Sequence, residues 1–174
     1  MRRLLPRMRR AMQLDAELFE EVEHDHHAGA QALIVVLLAS ACGGAGNVAA
    51  ASLLGFGEGG PASVIVLAAA FFVAWLAWSY VTMAVGTTLF GGRADMGEMR
   101  RALGFAAAPG LLLLVPGLGV LVGVPWSLVA MVIAVRQALD FTTRKALATV
   151  AVGAGIVVVV AVALPPLLYF ALRR

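Results

Sequence analysis

Glu20, His24 and His27 are the residues of this sequence best equipped for chemistry. They stand at i, i+4 and i+7, so one continuous helix would line them along a single face. A carboxylate and two imidazoles are competent ligands for zinc or another transition metal. They lie in EEVEHDHHAGAQA, residues 20–32, a stretch with four acids and three histidines. His24, His26 and His27 also suit a pH sensor, because imidazole titrates near neutrality. The alternative is plainer: the stretch is the polar threshold of an apolar helix, and its histidines sit in water.

The plainer reading has the stronger pattern. Ala11, Leu14, Leu18 and Val22 recur at spacings of 3, 4 and 4, with Phe19 beside them. Asp15, Glu17, Glu20, Glu21 and Glu23 cover the other side. That is one amphipathic helix lying on a membrane surface. Asp25, three residues before the apolar run, is placed to cap the next helix. The expectation is therefore no metal and no cofactor, with Glu20, His24 and His27 as weak metal candidates only.

The elements that must carry this stretch are membrane spans. The chain is 61% hydrophobic and 13% charged, with a mean hydropathy of +0.93. Soluble domains are about 25% charged, so half the usual charge is missing. The balance describes a polytopic membrane protein. The net charge of +3 does not indicate nucleic acid, because the basic residues flank apolar segments instead of sharing a face. The single cysteine, Cys42, has no intrachain disulfide partner. The sequence LLASACGG around it resembles a lipoprotein cleavage box. However, Ala39 stands where leucine is usual, and six acids separate the opening arginines from the apolar run. Cys42 reads as a small packing residue.

Charge-free windows cover residues 28–54, 62–90, 103–135 and 146–172. Each exceeds the roughly 20 residues that cross a bilayer as a helix. The third holds 33 residues, about 50 Å as one helix and too long for a bilayer core. Its middle, VPGLGVLVG, supplies a Pro116-Gly117 turn. The expected architecture is an all-α transmembrane bundle of five spans near 28–54, 62–90, 99–115, 118–137 and 146–172. The third and fourth form a Pro-Gly-linked hairpin, and residues 1–27 form a cytoplasmic basic segment and amphipathic helix. Pro109 and Pro125 should kink their helices.

The positive-inside rule favours five spans over four only slightly. With an inside amino terminus, five spans put Arg2, Arg3, Arg7, Arg9, Arg10, Arg93, Arg100, Arg101, Arg136, Arg144 and Lys145 inside, and Arg173 and Arg174 outside. Four spans move Arg136, Arg144 and Lys145 outside and the last two arginines inside. Both arrangements leave the loop with Glu58 outside.

An acidic surface helix is repelled by anionic lipid. The inside loops offer Arg93, Arg100, Arg101, Arg144 and Lys145. Glu20 and Glu21 are therefore expected to dock on those loops, with Leu14, Leu18, Phe19 and Val22 leaving water. Arg2 to Arg10 then face the head groups.

The windows hold no Asp, Glu, Lys, Arg or His, whereas ion and proton pathways normally place such a group at membrane depth. Asn47, Ser79, Thr87, Thr88 and Ser127 are the notable polar residues there, and such groups usually bond between or within helices. No phosphate loop or nucleophile–base pair is evident. The chain does not read as an enzyme. Small residues recur at four-residue spacing, Ser40/Gly44, Gly46/Ala50 and Gly119/Gly123, and suit close helix packing within one bundle or against a second copy.

Three segments, in order, carry a family resemblance: LFEEVEHDHHAGAQALIVVLLA, FGGRADMGEMRRALGFAAAPG and VPGLGVLVGVPWSLVAMVIAVRQALDFTTRKAL. Over roughly residues 10–165 the chain resembles the bacterial branch of the Yip (Ypt/Rab-interacting) membrane proteins. The resemblance implies five helices, a cytoplasmic amino terminus and an outside carboxy terminus, in a bacterial inner membrane. The eukaryotic branch is tied to Rab GTPases, but its Tyr-Gly and Tyr-rich motifs are absent here. Asp25 also precedes His26 where the family usually has proline. No functional residues carry over. The leading expectation is a non-catalytic scaffold, membrane-organising factor or accessory subunit. A small transporter or channel for a neutral or apolar solute is the runner-up. The expected partners are the lipid bilayer and a protein or second copy at a small-residue face.

Overall fold

The computed structural model describes the backbone of residues 3–56 and 59–172, and the side chains of 3–56 and 59–159. Glu58 and Arg174, expected to mark the outer side, lie outside the described residues, as do Arg2 and Arg173. The described chain is helical throughout. The helices are α1 (Leu4–Met12), α2 (Ala16–His24), α3 (Ala28–Leu53), α4 (Pro61–Phe90), α5 (Met96–Ala106), α6 (Val124–Ala138) and α7 (Thr143–Leu172). A 3₁₀ segment, Ala108–Leu114, follows α5, and a π turn, Gly119–Gly123, precedes α6.

The single amphipathic helix expected across residues 11–22 is two helices. Leu14 adopts a left-handed backbone (φ 60°). The Asp15 amide donates to the Arg10 carbonyl and the Leu14 amide to the Ala11 carbonyl, the hydrogen-bond pair of a Schellman ending. The Asp15 carboxylate then accepts from the Glu17 amide and starts α2. A good capping residue outcompetes the continuation of the apolar stripe. Asp25 does not cap α3 as expected: one carboxylate oxygen takes the His27 amide and the other takes Arg7.

Local chemistry sets the other boundaries. Pro61 opens α4, where a missing N–H costs nothing, and Gly91 closes it with φ 70°. Asp95 and Glu98 form a reciprocal capping box at 2.8 Å each and start α5. Pro109 was expected to kink a helix. Instead the α-helix stops at Ala106, because proline lacks the donor and its ring opposes the Phe105 carbonyl, and the chain continues as 3₁₀. Pro125 lies inside the continuous helical run from Gly119 to Ala138, just after its π turn, where it cannot supply an amide to the backbone ladder.

The hairpin runs alongside α3. A Cβ at Gly104 would meet Ala32, one at Gly110 would meet Ala39, and one at Gly46 would fall on the Leu113 carbonyl. These three approaches climb α3 in order, so α5 and the 3₁₀ segment lie parallel to it. After the turn at Gly117 (φ 80°), Gly119 and Gly123 pack on Leu112 and Leu113. α4 is antiparallel to α3, with Gly44 against Val64 and Ala68. Much of the small-residue pattern is thus used inside the bundle.

The best-buried core lies where α2, α5 and α6 meet. Leu18, Phe19, Met99, Leu103, Phe105 and Val135 are fully enclosed there. By contrast, only Ser79, Thr82, Val85 and Gly86 of α4 are buried. Large apolar side chains such as Leu37, Val73, Leu121 and Val158 cover the outside. An apolar exterior of this extent is a lipid-facing surface. Among the described residues, three helices are long and apolar enough to cross a membrane: Ala28–Leu53, Pro61–Phe90 and Gly119–Ala138.

Candidate functional site

The charged residues gather at the junction of α1, α2, α5 and the start of α3. Arg7, on α1, is only 3% exposed. Its Nη2 donates to Glu21 Oε1 and Asp25 Oδ2, both at 2.7 Å. Its Nε reaches Glu21 Oε1 at 3.1 Å, and its Nη1 reaches Gln31 Oε1 at 3.2 Å. One guanidinium therefore ties α1 to α2, to the following turn and to α3, using the planar fork that only arginine supplies. Arg10 adds bonds of 2.6 Å to Asp15 and to Glu21. The Arg7 and Arg10 bonds hold the Glu21 carboxyl below its ordinary range, and Arg7 does the same for Asp25.

Arg101, on α5, reaches α2 by a different route. Its Nε donates to the carbonyls of Val22 and Glu23 at 3.1 and 3.0 Å, and its Nη2 donates to the Glu23 carbonyl as well. These are last-turn carbonyls of α2, which have no partner within the helix. A cation there also complements the negative end of the helix dipole.

The expected ion pairs between α2 and the loops are not the ones present. Glu21 binds Arg7 and Arg10, which had been assigned to the head groups. Glu20 accepts from Gln137 at 2.9 Å. Arg93, Arg100 and Arg144 are exposed, and among the described residues none of them forms an ion pair with α2. Lys145 donates to the Phe90 carbonyl at 3.2 Å and lies over the Phe141 ring, at the end of α4. Arginines close in sequence reach the acids sooner than loops a hundred residues away. Leu18, Phe19 and Val22 are fully buried, and Leu14 is half-buried in the turn before α2.

The candidate metal residues diverge. The Glu20 carboxylate turns to Gln137, and His24 Nδ1 lies 3.0 Å from the Glu20 carbonyl. α2 ends at His24, so His27 does not continue its face. Among the described residues no group of three potential ligands converges.

Glu23 was assigned to the wet side of the helix and is 6% exposed. It stands four residues after Phe19 and next to Val22, so the spacing could have placed it inward. Its Oε2 has no partner among the described residues, and its Oε1 is 3.4 Å from His24. Burial pushes its carboxyl up to about 7; His24 opposes that rise, while Glu20, Asp140 and Glu98 add to it.

Three hydroxyls of α4 turn back on their own helix, whereas Thr82 Oγ1 is buried without a partner among the described residues. Ser79 donates to the Trp75 carbonyl at 2.8 Å, Thr87 to Met83 at 2.8 Å, and Thr88 to Ala84 at 2.5 Å. Asn47 is exposed. A cavity of about 340 Å³ between α3, α4 and α6 is walled by Val36, Phe71, Trp75, Trp78, Leu128 and Met131 and is overwhelmingly apolar.

The chain matches the Yip1 domain over residues 15–164. It belongs to the Yip family of membrane proteins. That match begins at α2 and runs into α7, so it takes in the bundle and the acidic side of the charged junction, while α1 with Arg7 and Arg10 precedes it. No curated protein and no solved structure matches the chain. Together with the apolar helices, the match makes this Yip-family chain a multi-pass membrane protein.

Proposed function

We propose that this Yip-family chain is a non-catalytic, five-span scaffold or accessory subunit in a bacterial inner membrane, with its amino-terminal helices docked on the cytoplasmic end of the bundle. The burial of Leu18, Phe19 and Val22 against α5 and α6 carries the reading. Chain that merely tethers a bundle has no need of a packed interface. The docking set is Leu14, Leu18, Phe19, Val22, Arg101 and the Arg7–Glu21 pair. The exposed faces of α1 and α2 are then left for a partner protein. The self-bonded hydroxyls favour this reading over a polar solute path.

Affinity purification in mild detergent tests it. A defined partner should co-purify in stoichiometric amount. Leu18→Ala with Phe19→Ala should lose that partner while the bundle stays folded. Solute uptake by proteoliposomes in proportion to the protein they contain would overturn the scaffold reading.

A further inference from the structure

A second cleft, of about 350 Å³, opens where α3, α4 and α5 meet. Leu33, Phe72 and Leu76 form an apolar wall, and Gly29 and Gly97 leave the floor open. Arg100 and Arg101 stand at the rim. Arg101 is 7% exposed, yet its hydrogen bonds go to neutral backbone carbonyls and not to a carboxylate. A buried guanidinium without a counter-charge is costly. Its Nη1 lies beside Gly97 and has no partner among the described residues. Arg100 is exposed and makes no hydrogen bond or ion pair among the described residues. The nearest acids, Asp95 and Glu98, are engaged in their capping box.

We infer that this cleft binds one anionic glycerophospholipid, its phosphate held by Arg100 and Arg101 and an acyl chain lying along Leu33, Phe72 and Leu76. Three observations select this occupant. The cleft combines an apolar slot with a cationic rim, the division that a phospholipid presents. Basic pockets between spanning helices are where anionic head groups bind. A multi-pass protein of this family has such lipids as its solvent. Because Arg101 also holds the carbonyl end of α2, the lipid would brace the residue that docks the amino-terminal helix.

The test uses the full chain, delipidated in detergent, and native mass spectrometry with phosphatidylglycerol or phosphatidylcholine. The wild type should retain one phosphatidylglycerol at least about fivefold better than phosphatidylcholine. Arg100→Gln, exposed and unpartnered, should cut that retention by about fivefold. Gly29→Leu should abolish it, since a Cβ there meets nothing within 4 Å and the larger side chain fills the slot without displacing the fold. In a parallel arm, dioctanoyl phosphatidylglycerol should raise the thermal midpoint and inorganic phosphate should not. Equal retention of the two lipids, unchanged retention in Arg100→Gln, or equal protection by free phosphate would each overturn the assignment.

Discussion

Glu23 and Arg7 are both buried, and only one of them is satisfied. Arg7 spends its guanidinium on Glu21, Asp25 and Gln31, whereas Glu23 keeps one carboxylate oxygen without a partner among the described residues. A carboxyl raised in the folded state favours folding fully below its unfolded value of 4.5. That contribution is lost as pH rises towards 7, where the folded carboxyl ionises. Glu23→Gln keeps the shape and removes the charge. Its stability in detergent should exceed that of the wild type at pH 8, by an amount on the order of 2 kcal/mol read as a raised thermal midpoint, and the two should converge at pH 4. A Gln variant less stable than the wild type at pH 8 would mean that Glu23 is charged and paired in the folded protein, and a difference that does not change with pH would mean that folding leaves its carboxyl unshifted. At the opposite extreme of packing, Gly46 has no room at all. Gly46→Ala would drive a methyl into the Leu113 carbonyl and should cost several kcal/mol, read as lost monodisperse protein after solubilisation.

Among the elements, α2 is held by burial first and by charge second. Leu18, Phe19 and Val22 are worth about 1.5–3 kcal/mol each when fully buried. The partly exposed Arg10 pairs are worth about 0.2–1 kcal/mol each, and the Arg7 pair, with its guanidinium buried, is worth more than either. Leu18→Ala with Phe19→Ala should therefore open α2 to protease while α3 to α6 stay protected. Glu20→Lys should do almost nothing, because Gln137 is its partner. Glu21→Lys should act more strongly, by setting a third cation between Arg7 and Arg10, and its effect should fall in high salt. If the charge change frees α2 and the apolar pair does not, the burial account fails. The apolar windows for α3, α4 and α7 were legible because a missing charge is visible in any one sequence. The break at Leu14 was not, since apolar residues continue at helical spacing straight through it. Nor was the grip of Arg101 on α2, because a bond to a main-chain carbonyl leaves no complementary residue to read.

At the scale of the whole molecule, the reach of the hairpin decides the topology. Its three approaches to α3, at Ala32, Ala39 and Gly46, extend over about 21 Å of that helix. α5 and the 3₁₀ segment together are about 30 Å long, the thickness of a hydrocarbon core. α5 carries Glu98, Arg100 and Arg101 in its first turns, so the apolar part of that arm is shorter than the core, and the five-span proposal needs the Pro116-Gly117 turn to reach the far side of the membrane. The bond from Trp126 Nε1 to the Met12 carbonyl, at 2.8 Å, bears on the same point from the other direction. It brings α1 against the start of the descending arm, nine residues after Gly117. Single cysteines at Phe56, Asp95, Pro116 and Thr142, on a Cys42→Ala background, separate the arrangements. In the five-span arrangement, 56 and 116 label from outside and 95 and 142 from inside. A position 142 that labels from outside means that the hairpin is a single crossing and the chain has four spans. If 116 labels from the inside while 142 also labels there, the hairpin enters and leaves by one face, and the five-span proposal fails even though the order of the helices stands.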